Sequence, residues 1–187
     1  MAFHVIDYEQ GLWRRAQDRA DGMPIYGNSH REAAANQVGA LGEVVVERLL
    51  EAHSVPFEQA YETTQDLVLP GLTIDVKTKD RTVRPLPGYE CSVPLYNHEH
   101  QRPNAFIFVS LQRDRDDHRA TMERFKRAFV VGWCSLEELD RGKVWRAGET
   151  DPANGTTFWT DCKNVYIQDL RPMTELLEKY ASSAAQR

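Results

Sequence analysis

Asp75 and Lys77 stand one residue apart in the stretch LVLPGLTIDVKTKDR (residues 67–81), and another acid, Asp66, immediately precedes it. Pro70 and Gly71 are the residue types favoured at the two central positions of a tight turn. A symmetric hairpin about that pair matches residues whose numbers sum to 141, so that Leu67 faces Ile74 and Asp66 faces Asp75. Thr73, Asp75 and Lys77 then share one face of the strand, and Leu72, Ile74 and Val76 share the other. Like charges directly opposed across a pair of strands destabilise a sheet unless something offsets them. A hard divalent cation such as Mg²⁺ would do so, since it is commonly held by one or two carboxylates while keeping several waters. The alternative is a solvated face on which Lys77 serves as surface counter-ion. The hairpin by itself does not separate the two.

A third acid belongs to the segment that precedes the hairpin. In REAAANQVGALGEVVVERLL, the residues Val38, Leu41, Val45 and Leu49 form an apolar stripe at helical spacing. At about 100° per residue, Glu43 lies off that stripe but on the side of Val46 and Leu50, which predicts a half-buried carboxylate facing the sheet. Glu47 points further round and is expected to be a surface acid. Gly39 and Gly42 flank Glu43 and would permit a strand or a ligand to approach the helix closely.

These residues need a framework. The segment DYEQGLWRRAQDRAD reads as a first helix, and Asn28 or Ser29 can cap a second helix running to about Ala52. Short β-type runs follow (FEQAYE, DLVL, LTIDVKT and YECSV), then NAFIFVSL, a continuous apolar run of the buried-strand type. The charged QRDRDDHRATMERFKR separates it from a further strand, RAFVVGWCS. SLEELDRG is a short helix with a serine cap, NVYIQDL a last strand and RPMTELLEKYASS a last helix. The order predicts an α/β domain with a mixed sheet, a meander of three or four strands plus a crossover strand, flanked by helices, not an alternating βαβ array.

Composition sets the outer bounds. With 187 residues, 41% hydrophobic and 27% charged, the chain is of single-domain size and soluble type. No run approaches the roughly 18 apolar residues of a membrane span, and the N-terminus lacks a signal-peptide pattern. Three widely spaced cysteines form no CxxC pair, which argues against a zinc ribbon or an iron–sulfur cluster and for a reducing cytoplasm. The net charge of −5 hides a local reversal, since KTKDRTVR (77–84) holds four bases against one acid. Such a basic patch on an acidic protein is compatible with a polyanion groove, and equally with a solvated strand end.

A glycine-flanked helical glutamate in G-A-L-G-E, an acid before a Pro-Gly turn, and I-D-V-K on the next strand occur here in that order. The arrangement resembles the PD-(D/E)xK phosphodiesterase superfamily, and in size it is similar to the small nucleases of bacteriophages and mobile elements. The resemblance covers about Val38 to Lys79, and the strand order is compatible to about Ser135. Gln65 stands where the name-giving motif has proline. The resemblance implies a restriction endonuclease-like core spanning residues 1–187 as one domain, with 1–28 an N-terminal helical elaboration and 136–187 a C-terminal one. It implies Glu43, Asp66, Asp75 and Lys77 as catalytic residues. Asp66, Asp75, Val76 and Glu43 would form the metal set for Mg²⁺, with Mn²⁺ able to substitute. Lys77 would orient the attacking water and stabilise developing negative charge. The implied activity is Mg²⁺-dependent hydrolysis of DNA, endo- or exonucleolytic, in the cytoplasm (of a host, if phage-encoded). The alternative is an inactive nuclease-fold module for nucleic-acid binding or assembly. DNA is the implied partner, no membrane is expected, and a homo-oligomer stays open.

Lys79, Arg81, Gln101 and Asn36 are weaker candidates for contacts to nucleic acid. His98 and His100 have ligand-like spacing but no third ligand nearby, and DRDD (114–117) lacks the spacing of a calcium loop. Trp133 and Trp159 read as core or interface aromatics.

Overall fold

The computed structural model describes residues 3–8, 10–23, 32–60, 64–95, 102–152 and 155–184. Nine strands and four helices are assigned among them: β1 (His4–Asp7), α1 (Gln10–Gly22), α2 (Glu32–Ala52), β2 (Glu58–Gln59), β3 (Leu67–Leu69), β4 (Leu72–Arg81), β5 (Glu90–Pro94), β6 (Ala105–Arg113), β7 (Phe125–Ser135), α3 (Leu136–Asp140), β8 (Lys143–Trp145), β9 (Cys162–Tyr166) and α4 (Met173–Ala184). The expected caps of the second helix, Asn28 and Ser29, lie outside the described residues.

Six strands form a mixed sheet in the order β1-β7-β6-β4-β3-β2, in which β4 and β6 run parallel and the other neighbours antiparallel. The α/β class and the mixed sheet thus agree with the expectation from sequence. The expected meander does not continue through β5. That strand leaves the main sheet and pairs with β9, which pairs in turn with β8, to make a separate three-stranded sheet.

β6 is apolar along its length because both faces of the main sheet are covered. Ala105, Ile107, Val109 and Leu111 contribute to one core with Ile74 and Val76 of β4 and with α1, α2 and α4. Phe106 and Phe108 contribute to a second core with Cys91 and Val93 of β5, Phe129 and Val131 of β7, and Leu139 of α3. β4 is therefore sandwiched, and residues on its two faces meet different neighbours. α3 begins at Ser135, whose side chain accepts from the Glu138 N–H while the Glu138 carboxylate accepts from the Ser135 N–H. This reciprocal capping box is the serine cap read from SLEELDRG.

Candidate metal and nucleic-acid site

The hairpin forms as its turn residues dictate. Leu69 pairs with Leu72, Val68 with Thr73 and Leu67 with Ile74, all summing to 141. Gly71 has φ +77°, the left-handed value required after proline in a type II turn. The register departs from symmetry at the next position. The β3 ladder ends at Leu67, the Asp66 N–H donates to the Ile74 carbonyl at 2.9 Å, and an Asp66 carboxylate oxygen accepts from the Val76 N–H at 2.6 Å. Asp66 is thus not the ladder partner of Asp75, which corrects that part of the expectation. The physical reason is that its side chain takes the place of a strand carbonyl as acceptor for Val76. The Val76 side chain is buried in the aliphatic core and supplies no ligand atom.

Asp75 is only 3% exposed and lies beside Phe106 of β6, with Lys77 beside Phe108. Lys77 Nζ lies 2.6 Å from Asp75 Oδ2, a close ion pair in an aromatic, poorly solvated setting. Asp66 has no ion-pair partner among the described residues. Burial, then the charges of Asp75 and Glu43, push its pKa up to about 8, against the opposing pull of the Val76 N–H and Lys77. Three carboxylates from α2 and the hairpin therefore sense one another's charge.

Glu43 is half-buried as the helix period predicted. Burial raises its pKa most. Arg19 opposes that shift, and Glu47 and Asp75 add to it. The helix comes this close to β4 because Gly42 has no side chain. A Cβ there would lie 1.8 Å from Thr78 Oγ1. Gly39 meets no such neighbour.

Glu47 is the clear correction. It is fully buried and held by Arg15 at 2.5 Å and Arg19 at 2.7 Å, while Arg19 also reaches Glu43 at 3.2 Å and Arg15 reaches Glu51 at 2.8 Å. The reason is that α1 covers the edge of α2 that would otherwise face water. The helical period of α2 alone carries no record of a second helix. Arg19, which links both glutamates, was missed because an arginine in a charged amphipathic segment has the ordinary appearance of a solvated residue.

The weaker candidates divide. Arg81 is engaged internally: its Nε donates to Ser110 Oγ at 3.1 Å, another guanidinium nitrogen donates to the Glu90 carbonyl at 3.0 Å, and the group sits over the Tyr89 ring. Lys79 is half-buried, with Arg81, Glu90, Cys91 and Cys162 as its ionisable neighbours. Asn36 is half-buried near the start of α2. Gln101, His98 and His100 lie outside the described residues. The DRDD segment is a loop organised by arginines, with Asp117 pairing to Arg119 at 2.6 Å and Arg113 donating to the carbonyls of Asp114, Arg115 and Asp117. Trp133 packs partly against the helical core, whereas Trp159 is 83% exposed and is no core residue.

Among the described residues, no three His, Cys, Asp or Glu side chains converge as a ready-made cation cage. Glu43, Asp66 and Asp75 are oxygen donors, the type a hard cation takes, and Arg19 is shared between Glu43 and Glu47. No helix among the described residues is long and apolar enough to cross a membrane. The chain matches no protein-family model and no curated protein.

Proposed function

We propose that this protein is a metal-dependent nuclease of the PD-(D/E)xK type, with a restriction endonuclease-like core, that hydrolyses phosphodiester bonds of DNA. The observation that carries the reading is the poorly solvated, electrostatically strained set Glu43, Asp66 and Asp75 with Lys77 at its edge. Burial, with neighbouring acids, raises the pKa of Asp66 and of Glu43, and catalytic sites are where carboxylates perturbed in this way concentrate. In this reading Asp66 and Asp75 would hold Mg²⁺, with Glu43 and the Val76 carbonyl completing the set, and the ion would supply activation of a water and charge neutralisation at the phosphate. Lys77, paired with Asp75, would donate to the attacking water or to the phosphate oxygen on which charge develops. Arg19 positions Glu43 from behind.

A second reading, an inactive nuclease-fold module for binding or assembly, is favoured by one feature: each acid already has an internal partner, Lys77 for Asp75, Arg19 for Glu43 and the Val76 N–H for Asp66. Calorimetric titration with Mn²⁺ separates the two. Saturable binding that is lost in Asp75→Asn supports the nuclease, and no binding by the intact protein supports the module.

A further inference from the structure

A chain of ion pairs runs between α1 and α2, from Glu51 through Arg15, Glu47 and Arg19 to Glu43. Its inner end, Glu43, belongs to the acid cluster with Asp66 and Asp75. Arg19 divides its guanidinium between the two glutamates, with one terminal nitrogen 2.7 Å from Glu47 and the other 3.2 Å from Glu43. The two acids are not equivalent. Glu47 has no exposed surface and lies between Arg15 at 2.5 Å and Arg19, whereas the Glu43 side chain keeps 14% of its surface. An ion from solution can therefore reach Glu43 and not Glu47.

A divalent ion held by Glu43, Asp66 and Asp75 would bring a second cation to a carboxylate that already has one. A buried arginine with a single partner could not step aside, because breaking the pair leaves a buried charge uncompensated. Arg19 can, because it keeps its shorter contact to Glu47, and Glu47 keeps Arg15 as well. The fully buried Glu47 thus acquires a role as the partner that retains Arg19. We infer that Arg19 occupies Glu43 in the metal-free protein and yields it to the metal ion, so that α1 sets the metal concentration at which the site fills. Arg19 is on this account a positioning residue that acts through Glu43. It holds the carboxylate in place until an ion arrives, and it lowers the affinity of the site for that ion. The inference rests on the proposed reading of Glu43 as a metal ligand.

The experiment is calorimetric titration of the full chain with Mn²⁺, without nucleic acid, with thermal melting of each variant as the check on folding. Arg19→Gln combined with Glu47→Gln removes the buried pair as a unit, which leaves the net charge unchanged and strands no buried charge. This double variant should bind Mn²⁺ about tenfold more tightly than wild type, the effect of removing one charge-assisted hydrogen bond from a ligand. Arg19→Lys keeps a charge for Glu47 but cannot divide it between two acids, and should shift the affinity in the same direction with little change in melting. Placed on Glu43→Gln, the double change should leave the weakened affinity where Glu43→Gln set it. A gain of equal size in that background overturns the inference, since Arg19 would then act on the ion through space. Unchanged or weaker Mn²⁺ binding by the double variant and by Arg19→Lys overturns it too. Wild-type binding that is lost in Asp75→Asn but indifferent to these changes keeps the metal site and removes the inference alone. No Mn²⁺ binding by wild type or by either variant removes both.

Discussion

Replacing Asp66 by asparagine removes the most perturbed carboxylate of the cluster while keeping an oxygen that can accept from the Val76 N–H. In the folded protein without metal, Asp66 is protonated up to about pH 8, whereas the unfolded chain releases that proton near the ordinary aspartate value of 3.8. Between those limits the folded state binds one more proton than the unfolded state, so stability falls as pH rises. The slope is about 1.4 kcal/mol per pH unit, which places the ceiling near 3 kcal/mol between about pH 5 and about pH 7. Below the unfolded value the penalty vanishes, and above the folded one it is constant. Urea denaturation of wild type and Asp66→Asn in EDTA across this window isolates the term, because other titrating groups are common to both. Wild type should lose stability relative to the variant with rising pH, and Mg²⁺ should flatten the wild-type profile by binding the ionised cluster. Parallel profiles for the two proteins would refute the burial and mutual repulsion argued for Asp66.

Three further outcomes follow from named contacts. Glu43→Gln should lower cleavage by orders of magnitude with little loss of stability, read by single-turnover assay and thermal melting. Glu47→Ala, at a position the helical period alone assigns to the surface, should cost about 3 kcal/mol in urea denaturation, because it strips a fully buried acid from Arg15 and Arg19. Gly42→Ala forces a methyl onto Thr78 Oγ1 and should cost about 1–3 kcal/mol in the same measurement, with most of the loss recovered by adding Thr78→Gly.

The fold was legible where a local signal sufficed. Pro70-Gly71 set three correct cross-strand pairs, the apolar run at NAFIFVSL marked the doubly covered β6, and Ser135 with Glu138 marked the start of α3. Within the candidate site, the half-burial of Glu43 and the nearness of Lys77 to Asp75 were legible. What failed depended on long-range packing. β1 is four residues long and its ladder partner is β7, more than a hundred positions away, so HVID carries no hairpin signal. β5 has the alternation of a meander strand, yet its partner β9 comes from the far end of the chain. Glu47 is buried by α1, and Asp66 leaves the ladder because a carboxylate can substitute for a strand carbonyl.

Metal-dependent phosphodiester hydrolysis at the Asp75–Lys77 strand is tested by incubating wild type, Asp75→Ala and Lys77→Ala with linear, circular and single-stranded DNA, in Mg²⁺ or Mn²⁺ and in EDTA. Wild type should cleave at least one of these substrates only with metal, and both variants should be inactive while melting as cooperatively as wild type. Cleavage that persists in EDTA, or near wild-type cleavage by purified Lys77→Ala, would contradict the assignment.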